Sequence, residues 1–290
     1  MSTSAGVLID VERLHRLLRS EPALVVLDVR WALGDPHGRE HYADTHIPGA
    51  VYVDLGTELA GPAGAGTGRH PLPEPGALQE AARSWGIRAG CPVVVYDDVG
   101  GLSAARAWWL LRWAGLASVR LLDGGFGAWR RAGYGTESGS VVPSRGDVTL
   151  TPGSLPVLGA EESASLARTG LLLDARAPER FRGEVEPVDP RAGHVPGALS
   201  APTTANLRPD GTFADATELA ARFAALGADR AAEIGVYCGS GITAAHELAA
   251  LAIAGYEAAL YPGSWSEWVS DPARPVAVGP GPDGPGEESP

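Results

Sequence analysis

The chain has 290 residues, 44% of them hydrophobic, and a formal net charge of −12, which is enough length and apolar content for about two packed domains. The acidic balance argues against nucleic acid as a partner, since phosphate backbones select basic faces, and no run approaches the ~18 consecutive apolar residues of a membrane-spanning helix. All 23 basic residues are arginine, which excludes a lysine Schiff base and the lysine of a nucleotide-binding P-loop.

The first residues, Met1-Ser-Thr-Ser-Ala-Gly6, lack the basic-then-apolar order of a signal peptide, so the cytoplasm is the expected location. Leu24-Val-Val-Leu-Asp-Val-Arg30 reads as a buried strand, followed by the turn His46-Ile-Pro-Gly-Ala50 and a short strand Val51-Tyr-Val-Asp54. Residues 56–76 are rich in Gly and Pro and read as a long loop that carries Arg69 and His70. A helix over 77–85 is stopped by Gly86, a strand follows over Pro92–Asp97, and a second helix over 103–114 is stopped by Gly115. Its Trp108, Trp109 and Trp113 have the spacing of a core-facing stripe. A fourth strand, Val119–Asp123, leads into the Gly124-Gly-Phe-Gly turn and a last helix that ends at Gly133. Cys91, at a strand start, reads as a small buried hydrophobe.

The same order then returns. Asp28 and Asp174, His46 and His194, and Tyr96 and Tyr237 stand 146, 148 and 141 residues apart. So many landmarks in one order, at nearly one offset, indicate duplication of a single α/β domain. Alternating strands and helices predict a mainly parallel sheet with helices on both faces in each copy. The expected division is 7–134, a linker over 135–156, 157–277, and a disordered tail over 278–290.

The second copy differs from the first at one place that bears on chemistry. Ile234-Gly-Val-Tyr237 is a buried strand, Thr243–Ala254 is a helix, and between them lies Cys238-Gly-Ser-Gly-Ile242. A glycine-rich turn into a helix start leaves several backbone N–H groups pointing inward, where the helix adds partial positive charge. A cysteine at the entrance of such a turn is placed to be a nucleophile. In the first copy the matching residue is Asp97, which cannot carry sulfur, so that copy is expected to be catalytically silent. The two cysteines are not expected to pair, and no Cys/His cluster has zinc spacing, so no metal site is expected.

The tandem architecture, the repeated His-Ile/Val-Pro-Gly-Ala, the Asp-Ala-Arg strand end and the Cys238 loop resemble the two-domain rhodanese-type sulfurtransferases over about residues 7–277. The loop Cys238–Thr243 is most similar to the 3-mercaptopyruvate branch, since the thiosulfate branch carries Arg and Lys directly after the cysteine, where this chain has Gly239 and Ser240. The resemblance implies two tandem rhodanese-like domains and transfer of sulfur through a persulfide on Cys238, without a cofactor. The donor is a small anion, and the acceptor is cyanide or a thiol, either small or on a thioredoxin-like protein. It further implies a proton relay of Ser240, Asp54 and His70, with Gly239, Gly241, Ile242 and Thr243 forming the cradle and Arg180 binding the donor's anionic end. A second donor-binding arginine of that branch falls on Val188 here, which leaves Arg191 or Arg182 as candidate replacements.

Three other readings compete. A cysteine phosphatase needs an arginine six residues after the cysteine, and that position is Ala244. A thiosulfate:cyanide sulfurtransferase is the alternative within the same resemblance, and cationic residues would favour it where this chain has Gly239 and Ser240. A non-catalytic persulfide-carrying or binding module would be expected to lack the cysteine in both copies, and Cys238 argues against it. His46 and His194 are expected to hold their turns, and Asp28 and Asp174 to brace neighbouring loops.

Overall fold

A computed structural model describes residues 4–64 and 66–284. The chain divides into two compact units. Unit 1 comprises Met1–Gly61, Leu72–Leu155 and Leu207–Ala214, and unit 2 comprises Pro62–Pro71, Pro156–Asn206 and Asp215–Pro290. Two short segments thus depart from the division expected from the duplication. Pro62–Pro71 belongs to unit 2, and Leu207–Ala214 belongs to unit 1, where Phe213 donates its backbone N–H to Asp123 at 2.9 Å.

Unit 1 holds five parallel strands: β1 (Leu8–Ile9), β2 (Val25–Asp28), β3 (Val51–Tyr52), β4 (Val93–Tyr96) and β5 (Val119–Leu122), in the order β1-β5-β4-β2-β3. All four residues of β4, Val-Val-Val-Tyr, are buried, as expected of a central parallel strand covered on both faces. Trp108 and Trp109 on the helix Ala104–Trp113 are buried in the core, whereas Trp113, the third residue of the expected stripe, is half-buried at the helix end. The expected linker lies along unit 1, with Gly139, Gly146 and Thr151 each donating to a carbonyl there at 2.8 Å.

Unit 2 repeats the pattern with four parallel strands: β6 (Leu171–Asp174), β7 (Leu199–Ser200), β8 (Ile234–Tyr237) and β9 (Ala259–Leu260), in the order β7-β6-β8-β9. A parallel bridge from Val157 to Leu260 stands where β1 stands in unit 1. The helices Ala160–Thr169 and Ser264–Trp268 pack on each other, as do Ala216–Ala225 and Thr243–Ala254. Asp215 caps its helix by accepting the N–H groups of Thr217 and Glu218 at 2.9 Å, and Glu218 returns a bond to the Asp215 N–H. Gly255, at φ +92°, ends the helix Thr243–Ala254 in a conformation that favours glycine.

The expected tail divides in two. Residues 278–284 are held on unit 2, with Gly279 donating to the Arg182 carbonyl at 2.9 Å and Gly197 to the Pro282 carbonyl at 2.8 Å, while 285–290 lie outside the described residues. Gly/Pro composition rules out helix and strand there, yet irregular backbone can still find partners. His194 joins this contact. Its ring lies 3.7 Å from that of Phe181, and its nitrogens face the carbonyls of Phe181 (2.8 Å) and Pro282 (3.0 Å). In unit 1, His46 faces the Tyr42 carbonyl at 2.8 Å, so both histidines hold their turns. No helix among the described residues is long and apolar enough to cross a membrane.

Candidate active site

In β2 and β4, Asp28 pairs with Tyr96, and in β6 and β8, Asp174 pairs with Tyr237. The next residues, Asp97 and Cys238, therefore leave the carboxyl ends of equivalent strands, where parallel α/β sheets place their ligands. Cys238 is buried, and its sulfur accepts the Gly241 N–H at 3.1 Å. Gly241 has φ +80°, and a Cβ there would stand 2.4 Å from the Pro262 carbonyl oxygen, so the turn that aims this N–H requires glycine. Ile242 precedes the helix Thr243–Ala254 and offers no side-chain cap, so the positive end of that helix faces the loop.

Cys238 is fixed from the other side by Ser264. The Ser264 hydroxyl accepts the Cys238 N–H at 3.1 Å and donates to the Tyr261 carbonyl at 2.9 Å. Ser264 has φ +54°, alone among the described non-glycine residues in a positive conformation. Its counterpart in unit 1 is Gly125, at φ +56°. An unfavourable conformation is thus kept where a side chain holds the Cys238 backbone. Trp265 and Ser266 complete the clamp by donating to the carbonyls of Cys238 and Gly239.

Ser240 and His70 meet, with the hydroxyl 2.8 Å from Nδ1. The Gly-rich loop that carries His70 is thereby built into unit 2, where Arg69 donates its backbone N–H to the Ser266 hydroxyl at 3.1 Å. Asp54, expected alongside them, belongs to unit 1, where it caps the helix Leu55–Glu58 by accepting the Thr57 N–H at 3.0 Å.

Three arginines and three carboxylates form one chain of ion pairs, two of the arginines standing against Gly239. Arg176 is buried and grips Asp174, with Nη2 to Oδ2 at 2.6 Å, while its guanidinium carbon lies 4.5 Å from the Trp265 ring centre. Burial is the largest single influence and would weaken that proton, but the charge and hydrogen bonds of Asp174, together with Tyr237 and Glu186, outweigh it and hold the guanidinium charged. A Cβ on Gly239 would stand 3.1 Å from Arg69 Nη2 and 3.4 Å from Arg180 Nη1, so both cations flank the residue next to Cys238. Arg180 is held by Glu186, and Asp189 lies between Arg180 and Arg69. Neither expected replacement for the missing arginine is here. Arg191 donates to the Arg274 carbonyl at 3.0 Å, and Arg182 pairs with Glu184 at 2.7 Å on the surface. The second guanidinium beside Gly239 is that of Arg69, which sequence spacing could not show because the loop before it has no periodic pattern. Among the described residues, no cluster of three or more His, Cys, Asp or Glu is placed to hold a metal ion.

The family model for the rhodanese-like domain matches residues 10–132 and again 160–271. The chain belongs to the rhodanese-like family. A Mycobacterium tuberculosis relative named as a thiosulfate sulfurtransferase, SseB, is 49% identical, with 96% of this chain and 99% of the relative covered. A Pseudomonas aeruginosa relative named as a 3-mercaptopyruvate sulfurtransferase is 50% identical, with 95% of this chain and 99% of the relative covered. Among solved structures, the 3-mercaptopyruvate enzyme SseA of Escherichia coli superposes with a TM-score of 0.79 at 33% identity, over 89% of this chain and 98% of that one.

The first rhodanese-like unit shows what the cradle does without a cysteine. The Asp97 carboxylate accepts the N–H groups of Val99 (2.9 Å), Gly101 (2.8 Å), Ser103 (2.8 Å) and Ala104 (2.9 Å). In this copy the anion position is filled by the chain's own side chain. In the second rhodanese-like unit a buried network lies just beyond the cradle. Thr203 meets His246 at 2.7 Å, Asn206 donates to Glu247 at 2.6 Å, and Arg222 donates to Glu247 at 3.0 Å. These residues are scattered over the sequence, and only the position of His246, on the first turn of the helix after the loop, could have suggested them.

Proposed function

We propose that this protein is a sulfurtransferase that takes sulfur from 3-mercaptopyruvate onto Cys238 and passes it to a thiol or to cyanide. The Cys238 thiolate attacks the donor sulfur, a sulfur–sulfur bond forms, and the carbon–sulfur bond breaks. The bond electrons pass into the ketone as an enolate, which takes one proton at carbon and leaves as pyruvate. The enzyme is left with Cys238–S–SH. An acceptor thiolate or cyanide then attacks the outer sulfur and returns Cys238 as thiolate. The Gly241 N–H and the uncapped helix stabilise the sulfur anion before and after each transfer. Arg180 receives the donor's carboxylate.

The observation that carries this reading is the Ser240–His70 hydrogen bond at 2.8 Å. An enolate leaving from carbon needs a proton delivered to it, and a hydroxyl backed by an imidazole is suited to that. Thiosulfate releases sulfite, which needs no proton at carbon. The competing thiosulfate reading draws on Arg69 and Arg180 beside Gly239, since two cations suit a dianion. Steady-state rates with both donors, in the parent and in His70→Ala, decide between them. The expected outcome is a higher kcat/KM for 3-mercaptopyruvate, and a His70→Ala loss of roughly 10²-fold or more confined to that donor. A better rate with thiosulfate that His70→Ala leaves unchanged would sink the reading.

A further inference from the structure

Glu186 and Asp189 lie in one short stretch, Glu186-Pro-Val-Asp-Pro-Arg191, and hold the arginines differently. Glu186 takes Arg180 Nη2 at 2.6 Å and Nε at 3.2 Å, and also accepts the N–H groups of Val188 and Asp189 at 3.1 Å each. Burial would raise its acid, but Arg180 and those N–H donors outweigh burial and lower it. Glu186 is therefore a permanent partner of Arg180. Asp189 is held more loosely. Its Oδ1 meets Arg69 Nη1 and its Oδ2 lies 3.4 Å from Arg180 Nη2. Its side chain is only 5% exposed, and burial, against the pull of Arg69, holds its acid above the usual range. One buried carboxylate thus spans two guanidiniums, both of which stand against Gly239, next to the nucleophile.

We propose that Asp189 is a resident counter-anion in the place of the donor's carboxylate, and that Arg69 is the second guanidinium that receives this carboxylate once Asp189 is displaced. The proposal rests on the sulfurtransferase reading and explains how the site would select its donor. A monocarboxylate replaces a monocarboxylate charge for charge, whereas a dianion leaves one charge unmatched among three arginines and three carboxylates. It also accounts for Val188, because the cation missing there arrives from the Gly-rich loop of the first half.

The test separates the donor site from the activity. Cys238 is alkylated with iodoacetate, which carries a carboxylate, and with neutral iodoacetamide, and the site of modification is read by mass spectrometry. The ratio of the two rates reports carboxylate binding beside the sulfur without any sulfur transfer. Asp189→Asn is expected to raise this ratio, and Arg69→Ala to lower it, each by roughly tenfold. With 3-mercaptopyruvate, Arg69→Ala should raise KM by a similar factor while kcat stays within about threefold, and Arg69→Lys should recover part of the loss. A ratio unmoved by either variant, or lowered by Asp189→Asn, would overturn the proposal. A ratio that moves as expected in an enzyme that does not turn over mercaptopyruvate would uphold the carboxylate site and refute the donor assignment.

Discussion

Asp97 and Cys238 leave equivalent strands of two duplicated sheets, each one residue past a tyrosine paired with an aspartate. Both sit in a loop of inward backbone N–H groups, a geometry that binds anions whatever their source. In unit 1 the anion is a side chain, so the loop is closed. In unit 2 the residue is a sulfur that can hold charge, release it and take on a second atom. Sulfur loading should therefore occur at one place. Incubation with donor should add about 32 Da, one sulfur atom, to the peptide that contains Cys238. Cys91, whose sulfur accepts the Arg88 N–H at 3.4 Å, should stay unchanged. Cys238→Ser should abolish turnover in a protein that remains folded, and residual activity above a few per cent would implicate Cys91.

Closing the unit 1 loop has a stability consequence. Asp97→Asn replaces one accepting oxygen with an amino group that faces N–H donors, leaving buried donors without partners. The expected loss is on the order of 2–4 kcal/mol of folding free energy, read as a shift in the denaturant midpoint. A shift below about 0.5 kcal/mol would show that the four N–H groups find other partners.

Ser264 offers a test of strain against bonding. Ser264→Gly relieves the φ +54° backbone but loses the hydroxyl, whereas Ser264→Ala loses the hydroxyl and keeps the strain. The alanine variant should be the less stable by roughly 1 kcal/mol. Both variants should slow sulfur transfer, because each releases the Cys238 N–H from its anchor. Equal stability of the two would mean that the backbone stores no strain there.

The pH dependence of stability should carry a signature of Asp28. Burial, against the attraction of Arg30, pushes its acid up to about 6. A folded-state value above the unfolded one means that folding takes up a proton between the two, so stability gained from Asp28 grows as pH falls through 6 and levels off below the ordinary carboxylate range. The span corresponds to something on the order of 3 kcal/mol. Denaturant midpoints of the parent and of Asp28→Asn, measured from about pH 7.5 down to 4, should differ in slope by this contribution. Parallel profiles would contradict it.

The duplication, the parallel sheets, the helix stops and the Cys238 loop were legible because each leaves a periodic or punctuated trace. Asp215 and Glu218 announce one capped helix, and Gly255 the end of another, Thr243–Ala254. Arg69 was not legible as a site residue, since nothing in a Gly-rich loop states where its far end lands. Ser264 was hidden for a related reason: a serine at positive φ has no signature beside a glycine that is free to take that conformation itself. The hold on residues 278–284 was missed because Gly and Pro report which regular structures are forbidden and not which carbonyls lie within reach. Glu186 and Asp189 carry no sequence signal of their own, since two carboxylates in a short Pro-containing loop do not state which arginines they will hold.

The transfer of Pro62–Pro71 into unit 2 has a hereditary consequence. A gene shortened to residues 154–290 would keep Cys238, Ser240 and Arg180 but lose Arg69 and His70, so its product should be at least roughly 10²-fold less active with mercaptopyruvate. Full activity from that fragment would show the loop to be dispensable. A duplicate usually decays once its chemistry is gone, but if sulfur transfer runs on Cys238 with Arg69 and His70, the first half would encode part of the second half's site. Selection on that site would then reach back across the ancestral join and keep the two halves inherited as a pair.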